Sequence, residues 1–434
     1  MMSTPALQEA ISKTFDVSWV REQFPSLQLK VNGEPAAFLD GPAGTQVPRQ
    51  VMDAVQKYFL EANANTYGAF LTSRRTNEMI ANARAAMADL FNCAPEEVVF
   101  GQNMTTITLG LARAIGRELK SGDEILLTVL DHDANYSPWR VLEEKGVVIR
   151  TVDIRESDCT LDLDDLKSKL NSKTKLVAIG YASNAVGTIN PIAEITQLAH
   201  AAGAMIYVDA VHYAPHGPID VKALDCDFLV CSPYKFFGPH MGTLYGKKPC
   251  LERFQPYKVR PATDSVPECW ETGTQVQELI AGIFAAVEYL AELGRRCDPS
   301  VKDRRAALLA AYRSTVAYER ALVTKLIAGL LAIPGLQFFG ITDPTRFGER
   351  CSTVSFRLLR KGTPTDAATF LGERGIFTWD GNFYALNLTE RLGVEKSGGF
   401  LRVGLVHYNT IEEVDRLLAA LNELALRKKF SEEK

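Results

Sequence analysis

The sequence predicts an α/β protein with a large domain, in which a mainly parallel sheet is sandwiched by helices, followed by a small α+β domain. Three observations carry this. Between about residues 30 and 250, helical segments alternate with short runs rich in Val, Ile and Leu. Those runs are apolar on both faces, as suits strands buried between two helix layers. After about residue 290 the order becomes a mixture of a long helix, short strands and a terminal helix. Alternation of the first kind implies right-handed crossovers and parallel pairing. The expected division is 31–290 for the large domain, with 1–30 and 291–434 together forming the small one.

Taken in order, residues 1 to about 15 are weakly patterned. A short helix fits Val17–Phe24, closed by Pro25. Met52–Leu60 and Asn77–Phe91 read as amphipathic helices. Buried strands are expected at Ile125–Leu130, Val147–Val152, Leu176–Tyr181, Met205–Val208 and Phe228–Val230. Asp303–Leu331 is a long Ala/Leu/Arg helix stopped near Pro334. Strands then follow at Gln337–Phe339 and Thr353–Leu358. A helix at Thr365–Glu373, with Gly375 as its stop, leads to a strand ending near Trp379. A strand at Leu401–Val406 and a helix at Ile411–Arg427 complete the pattern, before a charged tail, Lys428–Lys434.

Composition excludes several classes of function. Lys plus Arg is 48 and Asp plus Glu is 52, a net charge of −4. That balance gives no support to a nucleic-acid or anionic-membrane partner. At 46% apolar and 23% charged the chain is ordinary for a globular protein. Eight cysteines, with no C-x-x-C pair, fit neither a disulfide scaffold nor a thiolate zinc site. They read as reduced thiols of a cytoplasmic enzyme. Residues 1–16 hold no apolar core of a secretion signal. No window approaches 18 uncharged apolar residues, so no membrane span is expected.

In open α/β sheets, ligands bind beyond the carboxyl ends of the strands, so polar residues that follow apolar runs are the informative ones. Asp209 ends the run Met205–Val208, where a carboxylate calls for a cation such as a protonated pyridine nitrogen; alternatively it caps the next turn. Lys235 follows Phe228–Val230 among aromatics, where desolvation frees an amine for Schiff-base chemistry; alternatively its long stem reaches solvent. Ser232 is placed to donate to a phosphate oxygen. Met104 and Thr105 open a helix expected over Ile107–Arg117, a natural phosphate site or simply a capped helix start. Asp209 and Lys235 are twenty-six residues apart, about one strand–connection–strand step. Together, a carboxylate, a buried amine and a phosphate-binding helix start describe a pyridoxal-phosphate pocket.

With these motifs in view, the chain resembles the fold-type-I pyridoxal-phosphate enzymes of the class V aminotransferase group. Within it the likeness is greatest to group II cysteine desulfurases and selenocysteine lyases. The resemblance runs from Phe38-Leu39-Asp40-Gly41-Pro42-Ala43-Gly44 to the terminal helix. It implies pyridoxal 5′-phosphate as cofactor, with Lys235 forming the internal aldimine and Asp209 pairing with the ring nitrogen. His132 would stack on the ring and Asn184 would sit near its 3-hydroxyl. Met104, Thr105 and Ser232 would hold the phosphate. Thr274 would reach the phosphate of a partner subunit, which implies a homodimer, unless it caps the helix beginning near Val276. Arg402 would grip the carboxylate of an amino-acid substrate, a task its planar fork suits.

The chain also departs from the family. His212 stands where Gln is usual; both can hydrogen-bond the 3-oxygen, but His titrates. Tyr234 replaces the usual His before the lysine. In Gly375–Ala385, aligning Gly381 with the family's loop glycine puts Tyr384 at the position of the nucleophilic cysteine, and no cysteine follows Cys351. A phenol cannot accept sulfur as a persulfide. The expected activity is therefore β-elimination (a C–S lyase) without a cysteine persulfide, with transamination or epimerisation as the alternatives. Trp379, Asp380, Asn382, Tyr384, Arg74 and Arg75 are candidates for lining the substrate pocket. A metal-dependent hydrolase using Asp209, His212 and His216 is a remote second class, because Pro215 and Gly217 break any helix that would align the two histidines; no metal is expected. A catalytically silent relative is a third.

Overall fold

The computed structural model describes residues 15–359 and 362–426. Expectations for the first fourteen residues, for Arg427 and for the tail Lys428–Lys434 lie outside the described residues.

Seven strands form the main sheet: β1 Val98–Gly101, β2 Glu124–Thr128, β3 Val148–Val152, β4 Thr174–Gly180, β5 Met205–Asp209, β6 Phe228–Cys231 and β7 Gly242–Gly246. Their spatial order is β1-β7-β6-β5-β4-β2-β3. β3, β2, β4, β5 and β6 run parallel, while β7 is antiparallel to both β6 and β1. The runs expected to be apolar on both faces are so: all of β2 and β6 is buried. Edge strand β3 alternates instead, and its Arg150 pairs at 2.6 Å with the buried Glu124 of β2.

Helices cover the sheet. They include α1 Leu71–Phe91, α2 Met104–Ile115 and α3 Gln277–Cys297, and α4 Arg304–Leu331 packs along α3. Helices α3 and α4 meet backbone to backbone at Gly294, where a Cβ would stand 1.8 Å from the Ala307 carbonyl oxygen. A second sheet follows, with β8 Leu336–Phe339, β9 Thr353–Leu358, β10 Trp379–Gly381 and β11 Phe400–Gly404. Its order is β8-β9-β11-β10, antiparallel throughout. The terminal helix is α5 Ile411–Leu426.

The two sheets are tied by the segment after Ala37–Phe38. That strand pairs in parallel with Ile376–Phe377, and Asp40 bridges to Gly404 at the end of β11. Five residues on, the Thr45 N–H donates to the Tyr234 carbonyl at 3.0 Å. Two features of the main sheet differ from expectation. Strands β1 and β7 are not among the expected runs, because Val98–Gly101 is only four residues and Gly242–Gly246 begins and ends with glycine. Helix α2 starts at Met104 rather than Ile107, because Asn103 caps it by accepting from the Thr106 N–H at 2.8 Å.

Candidate active site

Strand register lines up the ends that build the site. Asp209 stands beside Gly180 of β4 and Val230 of β6. The residues just beyond those ends therefore converge, as they should at the carboxyl edge of a parallel sheet. They open on a cavity of about 710 Å³ lined by Met104, Thr105, His132, Asn184, Asp209, His212, Ser232, Lys235 and, from β11 of the second sheet, Arg402. Nine of the ten residues singled out from the sequence thus share one space. The tenth, Thr274, lines a separate groove of about 420 Å³ with Gln102, Thr106 and Tyr257. It does not cap α3, whose first residue follows Val276 with no side-chain cap.

Lys235 sits on a short 3₁₀ turn, Pro233–Lys235, directly after β6. Its Nζ donates to the Pro42 carbonyl and lies 4.6 Å from the centre of the Tyr234 ring. Burial pushes its pKa down from 10.5 to about 7; Arg402 adds to the shift, and Asp209 and Asp40 oppose it. Asp209 is buried, and burial raises its carboxyl to about 6 against the opposing effects of the Val211 N–H and Lys235. Its Oδ1 accepts from Val211 N at 2.9 Å. The turn-capping alternative is therefore met by one oxygen, while the residue still faces the cavity.

The start of α2 is a backbone cradle. Asn103 satisfies Thr106, and the first-turn amides of Met104 and Thr105 have no acceptor within the helix. The helix end comes this close to β7 because position 242 is glycine: a Cβ there would lie 2.5 Å from the Asn103 carbonyl carbon and 2.7 Å from Met104 N.

His132 accepts from Ala134 N at 3.0 Å through Nδ1, and burial lowers its pKa to about 4, with Lys235 and Arg402 adding. Tyr384 stacks on its ring. Arg402 is buried, donates to the Asn184 carbonyl at 2.9 Å, and lies 4.0 Å from the centre of the Phe383 ring. It makes no ion pair among the described residues, and burial pulls its pKa down to about 9. Asp40 opposes that shift but forms no ion pair with Arg402, which leaves the guanidinium suited to receive a carboxylate.

Other expectations fare differently. Trp379, Asp380, Asn382 and Tyr384 line the cavity, but Arg74 and Arg75 do not. The two arginines lie on α1, with their guanidinium groups bound to the carbonyls of Ala69 and Glu61 at 2.9 and 3.0 Å. The hydrolase triad does not assemble either. His212 and His216 do meet, on a turn rather than a helix, but their third neighbour is Cys351 and not Asp209. None of the eight cysteines lines the cavity.

Two participants were missed. Asp131 is buried in the cavity wall, where burial raises its carboxyl to about 7 although Thr128 and Asn135 hydrogen-bond it. Its position beside His132 was the available signal. Asn190 also lines the cavity, with its Oδ1 buried and unpartnered. Nothing local marks it.

Comparison with known proteins agrees with this geometry. A family profile for aminotransferase class-V matches residues 37–417. A probable cysteine desulfurase of Synechocystis is 34% identical over 418 residues, covering 93% of this chain and 94% of the relative. A cysteine desulfurase of Cronobacter sakazakii is 33% identical over 425 residues, covering 94% and 98%. Among solved structures, an Escherichia coli cysteine desulfurase superposes with a TM-score of 0.80 at 28% identity, and one from Thermococcus onnurineus with 0.83 at 27%. Each covers 94% of this chain and 98% of the other. The parallel sheet with its one antiparallel strand is the fold-type-I architecture. The chain belongs to the class V aminotransferase family, enzymes that use pyridoxal 5′-phosphate, and is similar within it to the cysteine desulfurases.

Proposed function

We propose that this enzyme eliminates a sulfur-bearing β-substituent from an α-amino acid, a C–S lyase reaction that needs no persulfide-carrying cysteine. The observation that carries this reading is the absence of any cysteine from the cavity lining, while Tyr384 occupies the loop that faces it. Sulfur transfer of the desulfurase kind needs a thiolate acceptor. The eight thiols stand elsewhere, and burial is the first cause raising the pKa of Cys351.

The residues fit pyridoxal phosphate. The first-turn amides of α2 and the Ser232 hydroxyl are placed for its phosphate. Asp209, His132 and Lys235 surround a space of suitable size, and the Oδ1 of Asn184 is buried without a partner. Bound there, the cofactor supplies an electron-withdrawing pyridinium ring that stabilises negative charge at the substrate's α-carbon. Asp209 keeps the proton on the ring nitrogen. Lys235, held near 7 instead of 10.5, has a substantial free-base fraction at neutral pH, and its Nζ takes the α-proton. Arg402 binds the substrate carboxylate and so fixes which α-substituent faces Lys235. Phe383 and Tyr384 restrict water at the mouth.

Supplying L-cysteine, cysteine conjugates and cysteine sulfoxides tests the reading. Pyruvate should appear together with the released sulfur fragment, with no sulfur left on the protein. Exchange of amino groups between keto acids without pyruvate overturns it in favour of transamination.

The same reading makes the enzyme a cytoplasmic homodimer in which Thr274 serves the partner's site. In support, Thr274 lies outside the cavity of its own chain, in a groove shared with the exposed Tyr257. Sedimentation at the monomer mass overturns that part.

A further inference from the structure

His212 lines the cavity, yet its Nε2 is buried and has no hydrogen-bond partner. Four residues on, His216 lies on the same turn, with the two ring centroids 5.2 Å apart and the planes 65° to one another. Cys351 comes from the segment that leads into β9 of the second sheet. One ligand-capable atom from each of the three lies within 4.8 Å of the others, and all three residues are buried. Behind His216, the Glu319 Oε2 of helix α4 sits 2.7 Å from His216 Nδ1 and accepts from the Ser352 hydroxyl at 2.7 Å. The second oxygen of Glu319 is buried without a partner.

We propose that His212, His216 and Cys351 form a binding site for one divalent transition metal ion, zinc by its chemistry, and that Glu319 is the positioning residue for His216. Two imidazoles and a thiol select zinc or its neighbours over calcium and magnesium, which prefer oxygen. The carboxylate behind a histidine is the recurring support of metal-bound imidazole. Charge also closes. Cys351 binds as thiolate, its proton passing to solvent, and with the Glu319 carboxylate it balances a 2+ ion in a dry setting.

Metal–ligand bonds of about 2.0–2.3 Å bring tetrahedral ligand atoms to roughly 3.5 Å from each other, so the cluster need close by only about 1 Å. The fourth position falls to a water molecule or to a carboxylate oxygen.

The ion has two consequences. It joins the turn after β5 to the start of β9, stapling the two sheets beside the active site. Coordination through Nε2 also leaves the remaining proton of His212 on Nδ1, so the imidazole is fixed as a neutral donor. The site does not depend on which reaction the enzyme runs.

The test uses the full chain with its cofactor, produced in zinc- or cobalt-supplemented medium and dialysed exhaustively. The expected result is one metal ion per chain. The cobalt form should show intense tetrahedral d–d bands at long wavelength, clear of the cofactor, together with thiolate charge transfer. In Cys351→Ser the charge transfer should vanish and metal content should fall. In Glu319→Gln the affinity should drop by about 10–100-fold. Wild-type protein with only substoichiometric metal and no such bands overturns the proposal without reference to any variant. A cobalt spectrum unchanged in Cys351→Ser overturns the assignment and places the metal elsewhere. Lys235→Ala should keep its metal, which separates failure of this site from failure of the cofactor site.

Discussion

The ring of Tyr384 lies on that of His132, with centroids 5.3 Å apart and planes 17° from parallel. Its carbonyl also accepts the N–H of Asp133 at 2.7 Å. Phe383 and Tyr384 both have positive φ, 56° and 60°. Aromatic residues seldom adopt that left-handed backbone, so neighbouring contacts hold the loop against its local preference.

Replacing Tyr384 with Ala removes a stacking contact of about 1 kcal/mol. Because Tyr384 is 70% exposed, the change should leave the melting temperature nearly unmoved. It should lower kcat/KM about fivefold, while Tyr384→Phe stays close to wild type. Steady-state kinetics beside a thermal melt separates the two effects; a large fall in melting temperature would show that the loop is structural only.

On the proposed reading Lys235 reacts as the free base, and its amine is held near pH 7 instead of 10.5, chiefly by burial. In the cofactor-free protein the reactive fraction falls about tenfold per pH unit below 7 and levels above it. The rate of cofactor capture, followed by absorbance, should therefore rise with pH and bend near 7. A rate still climbing at pH 9 would mean an ordinary lysine.

Arg402 is a buried cation without an ion pair among the described residues. Removing the guanidinium in Arg402→Ala deletes a charge-assisted bidentate contact worth about 3 kcal/mol. The kcat/KM for α-amino acids should fall by about a hundredfold, mostly through KM. Amines that lack the carboxylate should lose far less. Equal losses for both classes would remove Arg402 from substrate binding.

Asp131 titrates near 7 in the fold, against 3.8 in its unperturbed state, because of burial. The folded protein therefore holds a proton that the unfolded chain releases between about pH 4 and 7, and stability falls as pH rises through that window. Asp131→Asn removes this dependence. The melting temperature of the variant relative to wild type should climb from pH 4 to pH 7 and then level. A flat difference would show that Asp131 is ionised throughout, held so by Thr128 and Asn135.

What the sequence made readable depended on distance along the chain. The parallel strands announced themselves through short runs apolar on both faces, and the polar residues just after Val208 and Val230 marked the site at once. Strand β7 escaped notice because three residues between two glycines carry no periodic signal. Long-range meetings were illegible for a different reason. Cys351 lies 135 positions beyond His216, and the turn that angles the two histidines together has no helical spacing to reveal it. Arg74 and Arg75 misled because their residue type suits substrate binding, whereas backbone carbonyls engage both guanidinium groups.

Strand β1 belongs to the main sheet only through β7, and this has a meaning for the newborn chain. As synthesis proceeds, β1 and the helix start at Met104 emerge early but have no partner strand until residue 246 has left the ribosome. Lys235 appears within the same short interval, and Arg402 more than 150 residues later. If these residues serve as proposed, cofactor capture waits until all seven strands of the main sheet have been made, and substrate recognition until the chain is nearly finished. On the proposed reading, a polypeptide ended before residue 402 would carry the amine of Lys235 without the guanidinium of Arg402.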